Sequence, residues 1–73
     1  MFGDHIAAAA RQFERTRSVV ERQQQVVAKL KALGQDTAHS ERVLALFKRN
    51  LAIFEKNLSA LLQEERRTTK PEP

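Results

Sequence analysis

A short break at residues 33–37, Leu-Gly-Gln-Asp-Thr, separates two helix-patterned stretches of nearly equal length. Gly34 supplies the left-handed residue that commonly follows the end of a helix. Asp36 or Thr37 can cap the helix that comes next. Because so short a connection allows only antiparallel neighbours, the sequence predicts an all-α fold, an antiparallel two-helix hairpin.

The expected bounds of the hairpin follow from the same stop and start signals. Asp4 is a plausible N-cap for the first helix, and the two prolines near residue 72 forbid continuation of the second. We predict one domain over residues 1–67, with helix 1 over about 4–33, the turn over 34–36, helix 2 over about 37–67 and a disordered tail over 68–73.

Composition limits what such a chain can do alone. Seventy-three residues form one small domain, and a single core of this size is marginal without disulfides, a metal or oligomerisation. The chain has no cysteine, which excludes disulfides and fits a cytoplasmic location. No apolar run approaches the roughly 20 residues of a membrane span, so membrane insertion is not expected.

Helix 2 carries a heptad seam in which leucine and phenylalanine alternate at steps of three and four. Further apolar residues beside this seam make the apolar arc wider than one neighbouring helix can cover. We therefore expect a homodimer in which two hairpins form a four-helix bundle resembling a coiled coil. The predicted oligomer interface comprises Leu44, Leu46, Phe47, Leu51, Ile53, Phe54, Leu58, Leu61 and Leu62 of helix 2 and Phe13, Val20 and Val27 of helix 1.

Two polar residues, Thr16 and Gln23, interrupt the apolar face of helix 1. A buried polar group needs a hydrogen-bond partner. One interpretation is that both lie near the edge of the face or bond locally. The other is that Gln23 pairs with its symmetry mate and fixes the alignment of the dimer.

The opening Asp4-His5-Ile6-Ala7, the turn Gly34-x-Asp36-Thr37 and the following Val43-Leu44-Ala45-x-Phe47 form a recognisable combination. The chain resembles a group of small, uncharacterised helical-hairpin proteins of rhizobia and related bacteria. The resemblance spans residues 4 to about 65, although Gln35 stands where the group often has His. It implies a helical hairpin of bacterial cytosolic origin and implies no activity.

The sequence offers no constellation for catalysis, so we predict that the chain is not an enzyme and has no cofactor. His5 and His39 belong to opposite ends of the hairpin, roughly a helix length apart. No set of histidine and carboxylate residues has the spacing of a zinc site, and no glycine-rich phosphate loop is present. No metal ligand is therefore predicted.

Two basic rows are the strongest candidate for a ligand contact. On each helix three cations recur every seven residues, which places them on one line. A water-facing helix is commonly lined in this way, and phosphate contact is the functional alternative. The possible nucleic-acid contacts are Arg11, Arg15, Arg22 and Lys29 of helix 1 and Arg42, Arg49 and Lys56 of helix 2.

Three functions remain open from the sequence. The first is a non-enzymatic, homo-oligomeric interaction or scaffold module that binds itself or another helical protein. The alternative is RNA or DNA binding through the basic rows of a dimer, for which the plasmid protein Rop is an architectural analogy. Binding to a membrane surface through helix 1 is a third option.

Overall fold

The computed structural model describes residues 2–69, which form two α-helices. Helix α1 spans Phe2–Ala32 and helix α2 spans Ala38–Thr69. The helices run antiparallel and pack against each other, and the described residues include no strand. The prediction of an all-α fold built from two helices is confirmed.

Both helices differ at their outer ends from the predicted bounds. Because α1 begins at Phe2, Asp4 lies in its first turn and does not cap it; a carboxylate there favours the positive end of the helix dipole. Helix α2 includes Thr68 and Thr69, where a tail was expected. The Thr68 hydroxyl donates to the Glu64 carbonyl at 3.1 Å, one turn back along the helix. The rest of the predicted tail, residues 70–73, lies outside the described residues.

The end of α1 is a Schellman motif centred on Gly34. Gly34 has a φ of 71°, and its N–H donates to the Lys31 carbonyl at 3.0 Å. The N–H of Gln35 donates to the Leu30 carbonyl at 2.9 Å, five residues back. These bonds satisfy carbonyls that the helix end would otherwise leave free, so the predicted role of Gly34 is correct.

The start of α2 is fixed by the two residues that the sequence offered as caps. A carboxylate oxygen of Asp36 accepts the Ala38 N–H at 2.9 Å, and the Thr37 carbonyl accepts the Glu41 N–H at 2.8 Å. Glu41 also forms an ion pair with Lys31 across the turn, at 3.3 Å. The turn therefore sets how the two helices face each other.

We predict that Gly34→Ala lowers the free energy of unfolding by about 1 kcal/mol, because a residue with a Cβ is strained at this positive φ. No atom lies within 4 Å of the added Cβ, so the backbone alone should set the effect. Urea denaturation measures it, with Gly3→Ala inside α1 as the matched control that should be neutral or slightly stabilising. A Gly34→Ala variant more stable than the parent would contradict the turn.

The seam predicted on helix 2 faces α1. Its members are half-buried in the hairpin: Leu44, Phe47, Leu51, Phe54, Leu58 and Leu61. On α1 the residues Ile6 and Phe13 are half-buried, whereas Val20 and Val27 are only 5% and 7% exposed. Within the described chain these two valines are the only fully buried apolar side chains. The hairpin therefore has a small core, and most residues of its seam stay partly exposed to solvent.

Candidate interaction surface

The predicted interface residues fall into two groups in the structure. Nine of them form the seam between α1 and α2, where they hold the hairpin together. The other three remain exposed: Leu46 and Ile53 at 57% each and Leu62 at 39%. The exposed group is the part of the prediction that is available to a partner.

Two helices lying side by side have two broad sides and two narrow edges. Most of the exposed apolar residues of the hairpin lie on one of the broad sides. On α1, Val19, Val26 and Leu33 recur every seven residues; on α2, Val43 lies beside Leu46 and Ile53, which are also seven apart. At about 100° per residue, Val19, Val26 and Leu33 form one line beside the seam, and Leu46 and Ile53 form a line that is turned by about 60° from Val43. We call this side the apolar face and define it by Val19, Val26, Leu33, Val43, Leu46 and Ile53.

A groove shows that the two sets share a side. It is open to solvent, has a volume of about 320 Å³ and brings Val19 of α1 together with Asn50 of α2. Asn50 lies seven residues after Val43, so it extends the same line of α2. The complete lining is Gln12, Arg15, Thr16, Val19, Phe47, Asn50 and Phe54. The seam residues Phe47 and Phe54 thus line the groove in the apolar face.

The opposite broad side is charged. The Lys31–Glu41 ion pair bridges the helices there, and Lys48, Glu55 and Leu62 follow Glu41 at intervals of seven residues. Leu62 therefore lies apart from Leu46 and Ile53, although the sequence placed all three in one interface. We call this side the charged face and define it by Lys31, Glu41, Lys48, Glu55 and Leu62.

Gln23 has its hydrogen-bond partner inside the hairpin. Its side-chain amide donates to the Ser40 carbonyl of α2 at 3.0 Å, in a part-buried position. The bond holds Gln23 of α1 level with Ser40 of α2 along the helix axes, so it helps to fix the register of the two helices. The partner belongs to the other helix of the same hairpin, so this bond is neither the local bond nor the pairing with a symmetry mate that the two interpretations named.

The seven cations predicted as nucleic-acid contacts are all exposed, and within the described residues none forms an ion pair with a carboxylate. Glu14 and Glu21, which could have neutralised the row on α1, both contact Arg17 instead, at 4.0 and 3.6 Å. Arg15 donates to the neutral Gln12 side chain at 2.9 Å. The positive charge of these rows is therefore open to solvent.

The two basic rows lie on opposite narrow edges of one hairpin. Arg22 follows the buried Val20 by two residues, which turns it about 200° away from the seam. Arg49 follows the seam residue Phe47 by the same step. The α2 row thus occupies the back of its helix, whereas the α1 row borders the apolar face, where the exposed Arg15 lines the groove. One straight phosphate strand therefore cannot contact both rows of a single hairpin.

The described residues give little support for other kinds of site. Among residues 2–69 no three His, Cys, Asp or Glu side chains are grouped to hold a metal ion. Neither described helix contains a stretch that is long and apolar enough to cross a bilayer. No protein-family model, curated protein or solved structure matches this chain. The apolar face and the basic rows are thus the features from which a function can be argued.

Proposed function

We propose that this hairpin is a non-enzymatic, cytoplasmic interaction module that self-associates, as a homodimer in which two hairpins form a four-helix bundle. One observation carries the proposal. Among the described residues of a single hairpin only Val20 and Val27 are buried, while four large apolar side chains of the apolar face stay exposed. A second apolar face would cover them and complete the core.

The surface area of the chain supports this proposal. The chain exposes 5936 Å² for a mass of 8.3 kDa. A compact monomer of that mass exposes about 4,600 Å² by the usual scaling of surface with mass. The excess is about 1,300 Å², which is larger than the roughly 800 Å² that each partner buries in an interface of standard size. Face-to-face dimerisation would therefore remove more than half of the excess.

The chemistry of the apolar face favours a second copy as its partner. Its defining residues are uncharged, and Asn50 and Asn57, which continue the Val43 line, are neutral as well. These residues can meet their own copy without burying an unpaired charge, and Arg15, which lines the groove, is exposed and can keep its charge in water. The alternative partner for the apolar face is a different helical protein. In that case the isolated chain would be monomeric.

A dimer that folds as it assembles should melt at a temperature that rises with protein concentration. We expect the melting temperature, followed by circular dichroism, to increase by several degrees between about 5 and about 500 µM chain. Moderate salt is used throughout so that the net charge of +4 per chain does not dominate association. A melting temperature that is independent of concentration contradicts the proposal.

We propose nucleic-acid binding as the second candidate, favoured by the unpaired cations of the two basic rows. Backbone phosphates would be the contacted groups, so binding should be indifferent to base sequence and should weaken steeply with salt. Fluorescence anisotropy with random RNA and DNA oligonucleotides at low and moderate salt tests this candidate.

The variant that isolates this candidate is Arg22→Gln, with Arg17→Gln as its control. Both remove one positive charge from α1, but Arg17 is engaged by Glu14 and Glu21, whereas Arg22 forms no ion pair with any other described residue. We expect Arg22→Gln to weaken binding more than Arg17→Gln. Equal losses, or no binding by the parent at low salt, would eliminate phosphate contact by this row.

A further inference from the structure

We infer that two hairpins stack through their apolar faces with both turns at the same end, so that α1 of each copy packs on α2 of the other. This inference rests on the self-association proposed above. It specifies the surface and the orientation, which self-association alone leaves open. Two observations carry it, the position of the apolar residues along the hairpin and the placement of the basic row of α1.

The large residues of the apolar face are concentrated in the half of the hairpin near the turn. Val26 and Leu33 belong to the end of α1, and Val43 and Leu46 belong to the beginning of α2. Towards the open end, the same lines continue with small or polar residues: Gln12 on α1, and Asn57 and Ala60 on α2. The two halves of the face thus differ in character.

Symmetric face-to-face stacking has two forms. When the turns lie at the same end, the apolar half of one copy covers the apolar half of the other along the full length of the helices. When the turns lie at opposite ends, full overlap places each apolar half on the polar half of its partner. Matching the apolar halves would then require a slip that leaves both open ends uncovered, so the first form buries more apolar area.

The basic row of α1 favours the same arrangement. With turns at opposite ends, α1 packs on its own copy, and the row of Arg15, Arg22 and Lys29 lies beside an identical row, so its aliphatic stems cover no exposed apolar side chain. With turns at the same end, the row lies beside the exposed Leu46 and Ile53 of the second copy. The aliphatic stems of the cations can then cover these side chains while the charges stay in water.

The register within the hairpin places the cations of α1 and the exposed apolar residues of α2 at similar positions along the helix axes. Arg15 lines the groove together with Phe54, so Ile53 lies at nearly the height of Arg15. Gln23 bonds to the Ser40 carbonyl, and Val19 shares the groove with Phe47, so Leu46 lies between the heights of Arg15 and Arg22. In the same-end dimer these two arginines therefore lie near the exposed Leu46 and Ile53 of the other copy.

This orientation has a consequence for the basic rows. In one hairpin they lie on opposite edges, but in the same-end dimer the α1 row of one copy and the α2 row of the other occupy the same side of the bundle. The bundle then has two equivalent sides, each carrying Arg11, Arg15, Arg22 and Lys29 from one chain and Arg42, Arg49 and Lys56 from the other. Dimerisation thereby builds a composite cationic surface that a single hairpin lacks.

Distance measurement between the two turns tests the orientation. The chain has no cysteine, so Gln35→Cys, in the exposed turn, provides a single site for a spin label. Because neighbouring helices lie 8–10 Å apart, the same-end dimer should give a main label-to-label distance below about 30 Å. The fully overlapped opposite-end dimer should give a distance near a helix length, roughly 45 Å, since each residue adds 1.5 Å.

Failure of the orientation and failure of self-association give different results. A sample with dimer mass and a main distance above about 35 Å overturns the orientation and leaves the proposed function intact. A labelled chain that sediments as a monomer overturns the proposed function itself, including when it binds anionic vesicles through the apolar face. A second label at the exposed Gln63, near the open end, should also give a short distance in the same-end dimer and a long one in the fully overlapped opposite-end dimer.

Discussion

The Phe54→Ala variant is expected to lose about 3 kcal/mol or more of its free energy of unfolding, with helicity and association lost together. Phe54 lies in the seam, is half-buried within one hairpin and also lines the groove on the apolar face. A second copy would cover its remaining exposed edge. Truncation would therefore leave a cavity at a contact shared by both layers of the bundle, and the loss approaches the whole stability of a small domain.

Urea denaturation followed by circular dichroism measures this effect, with Lys56→Ala as the matched control. Lys56 lies two residues further along α2, is exposed and forms no ion pair within the described residues. Replacement of Lys56 should change stability by less than about 0.5 kcal/mol, as is usual for surface sites. If Phe54→Ala melts within a few degrees of the parent, Phe54 does not pack as described.

Val26→Glu should dissociate the dimer while costing a single hairpin little. Val26 is 41% exposed in the hairpin, so a charged side chain there stays in water until a partner covers it. In the proposed dimer the same carboxylate would lie against the apolar face of the second copy. We expect the dissociation constant to rise at least about 100-fold, which corresponds to about 2.7 kcal/mol.

Leu62→Glu is the control for this substitution, because it introduces the same group at an exposed leucine of α2 on the charged face. Its dimer affinity should stay within a few-fold of the parent value. Sedimentation velocity over a dilution series gives both constants. Equal weakening by the two variants, or weakening by Leu62→Glu alone, would show that the hairpins do not meet through the apolar face.

The sequence is sufficient for the hairpin and its seam because both follow from local chemistry. Gly34 and Asp36 mark a stop and a start, and the structure shows each in the expected role. The seven-residue repeats fix which residues of α2 face α1. The start of α1 is different: Asp4 is a good cap by residue type, but the helix begins at Phe2 and includes it.

The partners of individual polar groups could not be predicted, because they depend on the height and rotation of one helix against the other. The geometry of the turn sets this height and this rotation, and the residue pattern along one helix predicts neither of them. Gln23 was correctly singled out as a polar residue in an apolar face, but its bond to the Ser40 carbonyl required the register of α2. Leu62 lies on the charged face, apart from Leu46 and Ile53, since the two flanks of the α2 seam lead to opposite faces of the hairpin.

The mass of the parent chain in solution tests the central claim most directly. Sedimentation equilibrium at micromolar concentration and moderate salt should give a mass near twice 8.3 kDa. The proposed dimer predicts this value, because a second copy would cover the exposed apolar face. A mass of 8.3 kDa, for a chain that is fully helical and melts in one sharp transition, would contradict it.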